Sequence, residues 1–252
     1  MAEAVIVGGI RTPFVKAGDR LKDSPAPDLG RWVVRECIDR FDLPVDVVDE
    51  VIAGNVASPV DAANVARVIA LRAGVPRDRI AHTVCRNCGS GFESVTEAVD
   101  RIRAGLARCI IALGVDSMSN IPLFWKKSLT EKVWAAMRAK SVTAKLAAVA
   151  RIRPSDLKPQ IGLQLGLTDP VSGLIMGETA EKLAREFRIS REAQDAFALR
   201  SHQRAVAAWE SGRLAEETMT VYPEPDLEPL PRDIGPRENQ SLEALAKLKP
   251  YF

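Results

Sequence analysis

Two of the chain's four cysteines stand close together in TVCRNCGSGFESV, residues 83–95. A Cys-x-x-Cys pair can support dithiol exchange, half of a zinc site, or a single activated thiolate, or it can be two core thiols with no chemistry. Zinc would need a second pair of ligands, yet Cys37 and Cys109 are isolated and the only histidines are His82 and His202. A redox pair opens a helix after a strand, as this one does, but normally without a Gly-Ser-Gly directly behind it. The single-thiolate reading has the firmest physical basis, and it falls on Cys88. That residue follows an apolar strand pattern and precedes a helical pattern starting near Gly89 or Ser90. The free N–H groups of a first helical turn favour an anion. Gly89 and Gly91 allow a sharp turn and close approach of a substrate. Cys85, beside the strand, reads as a buried core thiol.

These residues need elements to hold them. Apolar runs at 4–10 (AVIVGGI), 50–56, 80–84 and 108–115 read as buried strands. Between them lie amphipathic helices at 28–41, 61–74 and 90–105. The first is expected to be capped by Asp28, with Leu29, Trp32, Val33, Cys37 and Phe41 on one side. The third has Phe92, Val95, Val99, Ile102 and Leu106 in line. Strands alternating with helices of this length imply a layered, mainly parallel sheet. After residue 120 the pattern becomes helical, with helices at 176–187 and 190–212, a Pro-rich connector at 222–237 and a short helix within 241–252. The expected division is an α/β domain at 1–120, a mostly helical loop domain at 121–240 and a return segment at 241–252.

Composition narrows the function. A chain of 252 residues with 46% hydrophobic and 27% charged residues is an ordinary globular protein, and a net charge of +2 gives no reason to expect nucleic acid. Four cysteines are too few for a secreted disulfide scaffold. The N-terminal run lacks the basic start of a signal peptide, and no stretch is apolar enough to span a membrane, so a cytoplasmic protein is expected. The charge is uneven. Residues 121–160 carry nine Lys or Arg against Glu131 and Asp156, a local +7, together with Phe124, Trp125 and Trp134. A basic segment of this kind suits an anionic membrane surface or an acidic partner, with the phosphates of a ligand and a solvated hairpin as the alternatives.

CGSGFESV (88–95) resembles the nucleophile motif of the thiolases. GGIRTPFVKAGD (8–19), GNVASPVDAANVARVIALRAGVP (54–76), LGVDSMSNIP (113–122), MGETAEKLA (176–184), SREAQDAFALRSHQRA (190–205) and SLEALAKLKPYF (241–252) are similar to further thiolase motifs, in the same order. Asp116 stands where the family usually has Glu. The insertion at 121–165 and ALRSH look most like the β-subunit branch, whose partner is a hydratase–dehydrogenase α subunit of fatty-acid β-oxidation. The resemblance implies a thiolase-like layered fold and a homodimer. It also implies thiolytic cleavage of 3-ketoacyl-CoA by acetyl-CoA C-acyltransferase chemistry, with coenzyme A as substrate and no further cofactor. Cys88 would be the acylated nucleophile and its backbone N–H an oxyanion donor. Met176 would line the acyl tunnel, and Arg237 would meet the nucleotide end of CoA. Ile175 stands where many biosynthetic thiolases have histidine, and His82 and His202 match no catalytic position. The family's second half, with its N-A-S, N-E-A-F and G-H-P segments and a second cysteine, does not appear in these residues. The base and acid of the reaction would therefore have to come from that half. Two other classes stay open: a non-catalytic acyl- or CoA-binding subunit, and a Cys85–Cys88 dithiol redox protein.

Overall fold

Three apolar runs become five-residue strands: β1 (Glu50–Gly54), β2 (Ile80–Val84) and β3 (Ile110–Gly114). They form a parallel sheet in the order β2-β1-β3, with Gly54 in register with both Val84 and Gly114. The computed structural model describes residues 3–252. They divide into two compact units: the residues up to Asn120 with Arg191–Lys249, and Ile121–Ser190 with Pro250–Phe252.

In the first unit, α1 (Ala26–Arg40) starts two residues before Asp28. Pro25 and Pro27 preset the backbone where no N–H donor is needed, and Asp28 is a first-turn acid paired with Arg72 at 2.9 Å rather than the cap. The buried face of α1 is Leu29, Gly30, Val34 and Ile38, so the expected stripe is rotated and Phe41 is exposed. Asn64 caps α2 (Val65–Arg72) by accepting the Arg67 N–H. Both helices cover the sheet face formed by Val51, Ala53, Ile111 and Leu113, which is the main core. A strand alternates its side chains, so Glu50 and Gly54 point to the other face, where α3 (Ser90–Arg103) lies.

The face that α3 turns to the sheet is not the apolar one. Its buried residues are Ser90, Ser94 and Ala98, while Phe92 and Leu106 are exposed. Close backbone approach explains this. A Cβ on Gly54 would lie 2.1 Å from Ser90 O, and one on Gly114 would lie 3.0 Å from the Gly91 Cα. At that separation only small side chains fit between helix and sheet.

Residues 4–10 form no strand, contrary to the sequence expectation, and Val5, Ile6 and Val7 are exposed. An extended segment needs a neighbouring backbone to build a ladder. Among the described residues the outer edge of β3 pairs with no strand, and just past this segment Arg11 forms an isolated bridge to Thr218. The structure groups α8 (Arg191–Glu210), α9 (Arg213–Glu217) and α10 (Leu242–Ala246) with the first unit. Met219, Val221 and Leu230 pack there against Ile10, Val15, Leu21, Trp32 and Val33. Arg11 adds a polar tie, donating to both oxygens of Asp233 and to Glu217.

The second unit holds the ribbon of β4 (Leu123–Phe124) and β5 (Gln160–Ile161), which closes a hairpin of α4 (Lys127–Arg138) and α5 (Val142–Ala150). α6 (Gly162–Leu167) and α7 (Met176–Glu186) complete it. Among the described residues no helix is long and apolar enough to cross a membrane.

Candidate functional site

Between β2 and α3 the chain turns through Cys85, Arg86, Asn87 and Cys88. Asn87 takes a left-handed φ of 48°, a conformation Asn tolerates better than most residues. Ser90 locks the turn: its Oγ accepts the Arg86 N–H at 2.8 Å and donates to Asn87 O at 2.7 Å. The Gly89 and Ser90 N–H groups donate to Arg86 O and Asn87 O. Arg86 is tied to Glu93 on α3 at 2.7 Å. The result presents the Cys88 thiol at the start of a fourteen-residue helix, exposed and free.

Cys85 is exposed too, against the expectation of a core thiol. It lies just beyond the last residue of β2, where the chain has already left the sheet. The half-buried cysteines are Cys37 and Cys109, and burial pushes both thiols up. Among the described residues no group of three or more His, Cys, Asp or Glu could hold a metal ion.

Two supports keep α3 in place. At its N-terminal end, Gly54, Gly91 and Gly114 bring helix and strand backbones together. Further along, buried Glu50 of β1 accepts from Arg101 Nε of α3 at 2.5 Å. The other Glu50 oxygen lies 3.0 Å from His82 Nδ1, near enough for attraction but not aligned for a hydrogen bond. His82 Nε2 meets Glu97 of α3 at 2.8 Å. His82 therefore joins β2 to the helix that carries the cysteine turn.

The strand ends beside this turn are tied by Asn55 and Asp116. Buried Asn55 donates Nδ2 to Val115 O at 2.7 Å and to Asp116 Oδ1 at 3.0 Å. Asp116 Oδ1 also accepts the Val56 and Ala57 N–H groups. The shorter Asp fills a structural role where the resembling motif has Glu. The sequence carried a signal for these supports: a Gly closing each of two strands, in AGNV and ALGVD, marks a close backbone approach. The Glu50–Arg101 pair had no such signal.

The other two candidate residues lie elsewhere. Met176 is the first residue of α7 in the second unit, where Glu178 accepts the preceding Ile175 N–H at 3.0 Å. Arg237 is exposed in the first unit, and its N–H donates to His202 Nδ1 at 3.1 Å.

Comparison with known proteins places this arrangement. A sequence model of the thiolase N-terminal domain matches residues 4–252. The chain is 40% identical over 247 residues to a 3-ketoacyl-CoA thiolase of Klebsiella pneumoniae and 38% identical to one of Escherichia coli, alignments that take in 98% of this chain. It spans only 56% of those relatives' length. A Bacillus anthracis acetyl-CoA acetyltransferase superposes with a TM-score of 0.86 at 32% identity, over 100% of this chain and 59% of that one. Human mitochondrial 3-ketoacyl-CoA thiolase, crystallised with CoA, gives 0.83 at 33% identity, over 97% and 57%. With a family match across nearly all of its residues, this chain belongs to the thiolase family.

Proposed function

We propose that the chain carries the nucleophilic part of a 3-ketoacyl-CoA thiolase site. The Cys88 thiolate adds to the 3-keto carbon of the substrate, and the Cα–Cβ bond then breaks. Acetyl-CoA leaves after its carbanion gains a proton, and the shortened acyl group remains as a thioester on Cys88. The thiolate of free CoA attacks that thioester, releasing acyl-CoA and regenerating Cys88. The Cys88 backbone N–H is one donor to the oxyanion formed at each addition. Removing the thiol proton and supplying one to the carbanion need a base and an acid. Neither is found bonded to Cys88 among the described residues, and the reading assigns both to the remainder of the thiolase framework. Met176 would line the acyl path and Arg237 would pair with a CoA phosphate.

The observation that supports this most is the exposed, free thiol at the N-terminus of α3, held by helix–sheet backbone contact. The test uses acetyl-CoA, or a 3-ketoacyl-CoA, with the second thiolase half supplied in the same or another chain. Trypsin cleavage after Arg86 separates the two exposed cysteines, leaving Cys85 in peptide 80–86 and Cys88 in 87–101. One acyl group should appear on 87–101 and vanish in Cys88→Ala. Acylation of 80–86, or full activity in Cys88→Ala, refutes the assignment. A reversible Cys85–Cys88 disulfide with no acylation would favour the dithiol alternative, for which both exposed thiols are available.

A further inference from the structure

Cys85 takes no part in the proposed reaction, yet it is not a core thiol. It is exposed and free, and so is Cys88 three positions on. Both lie on the turn from β2 to α3, Cys85 just past Val84 and Cys88 just before Gly89, the helix cap. The other two cysteines differ in their surroundings. Cys37 and Cys109 are half-buried, and burial pushes both thiols up, which keeps them protonated and slow to react. An oxidant that reaches this chain therefore meets Cys85 and Cys88 first. A cysteine that serves as a thiolate nucleophile is also the one most open to oxidation. Beyond sulfenic acid that damage is irreversible, unless a second thiol close by captures the oxidised sulfur.

Hydrogen bonds, and not a packed core, hold the stretch between the two thiols. The Gly89 and Ser90 N–H groups close two successive tight turns on Arg86 O and Asn87 O, with Asn87 at φ 48°. Ser90 Oγ bonds both the Arg86 N–H and Asn87 O, and the Arg86 side chain reaches Glu93 at the surface. A disulfide draws its two Cα atoms to about 4.4–6.8 Å. Two intervening residues permit that when the turn bends. The Ser90 bonds bracket those same residues and resist the bend, so the closed form is strained. Strained, exposed disulfides are the readily reduced kind. The turn therefore favours reopening once a reductant returns.

We propose that Cys85 is a resolving thiol, which closes a reversible disulfide with Cys88 when peroxide attacks the nucleophile. The proposal rests on Cys88 being the reactive thiol of the proposed reaction. The Cys88 thiolate attacks one peroxide oxygen: an S–O bond forms, the O–O bond breaks and hydroxide leaves. The Cys85 thiolate then attacks the Cys88 sulfur. An S–S bond forms, the S–O bond breaks, and a second hydroxide leaves. The protons given up by the two thiols turn both hydroxides into water, and the two sulfurs have passed two electrons to one peroxide. Two small-molecule thiols, or one dithiol, return those electrons by exchange and free both cysteines. While the bridge is closed, Cys88 takes no acyl group and is shielded from further oxidation.

The full chain is treated with a small excess of hydrogen peroxide, blocked with iodoacetamide and cleaved with trypsin without reductant. Cleavage after Arg86 falls between the two cysteines, so closure joins peptide 80–86 to 87–101 as one species two hydrogens lighter. That species is expected from chains that run as monomers on a non-reducing gel, and dithiothreitol should restore Cys88 labelling to its untreated level. In Cys85→Ser the linked species should vanish, and irreversible sulfinic acid on 87–101 should rise about tenfold. Cys85→Ala should behave in the same way. Position 85 is exposed, so circular dichroism and untreated Cys88 labelling should match the parent in both variants. Equal sulfinic acid in the parent and in Cys85→Ser overturns the proposal, as does a linked species confined to chain dimers. So does a peroxide-treated chain that, with the second thiolase half supplied, is acylated as fast as the untreated one. Failure of the thiolase reading looks different: the reduced chain gains no acyl group on Cys88 while the linked peptides still form, and the resolving role of Cys85 then stands.

Discussion

Gly54→Ala tests how the cysteine turn is held. The added Cβ would stand 2.1 Å from Ser90 O, 2.3 Å from Ser90 C and 2.7 Å from Gly91 N. Ordinary van der Waals contact begins near 3.4 Å, so the gap between β1 and α3 must open by about 1.3 Å. The obstructing atoms are backbone and cannot rotate away. Movement of Ser90 carries Gly89 and Cys88 with it and also separates Gly91 from Gly114. Overpacking of this kind costs about 1–3 kcal/mol, which should appear as a lower urea midpoint at unchanged slope. The chemical readout is iodoacetamide labelling at neutral pH followed by trypsin, with the Cys85 peptide as internal reference. Losing the alignment of Cys88 with the helix start should slow its labelling relative to Cys85 by about two- to fivefold, the worth of one helix-terminus interaction. Gly9→Ala is the control, since nothing lies within 4 Å of its added Cβ. If Gly54→Ala unfolds at the parent urea concentration and labels in the parent ratio, backbone contact does not hold the nucleophile and the reasoning fails.

Arg101→Ala leaves Glu50 buried without its main counter-charge and should cost about 3 kcal/mol in urea unfolding. Glu50→Gln with Arg101→Met should recover most of that, and a double variant as unstable as the single would argue against a charge effect. For Asp233, burial pushes the carboxyl up, but donation from Arg11, Phe14 N–H and Trp209 brings it net below the usual range. A lowered folded value gives stability that is present above the ordinary Asp pKa of about 3.9 and lost as pH falls through the folded value. Asp233→Asn should therefore cost about 2 kcal/mol at pH 7, and the difference should shrink below about pH 4; a gap independent of pH down to 2 counts against the ion pair. Exposed Val5, Ile6, Val7 and Phe92 should make the isolated chain associate with rising concentration in sedimentation. A monodisperse monomer at all concentrations would contradict that.

Much of the first unit was legible from local pattern. The runs read at 50–56, 80–84 and 108–115 hold the strands 50–54, 80–84 and 110–114, and needed only β-propensity and length to be recognised. The Gly-Ser-Gly at the head of α3 marked Cys88 as the candidate thiolate, because it allows a tight bend and close approach. Asn64 and Ser241 capped helices as their types imply. The strand expected at 4–10 did not form, although its composition is strand-like. A strand exists only beside another backbone, and composition does not report whether one is present.

Local sequence by itself determined the elements of this thiolase-family chain, the cysteine at the head of α3 and the uneven charge of the hairpin, since each depends on residues a few positions apart. Tertiary structure decided the rest. It put the small side of α3 against the sheet, because Gly54, Gly91 and Gly114, distant in sequence, approach within backbone contact. It exposed Cys85, joined Glu50 to Arg101 across 51 positions, and grouped α8 to α10 with the first unit. Side-chain periodicity records which faces are apolar. Which of those faces is covered depends on distances between elements, and these are set only when the chain is packed.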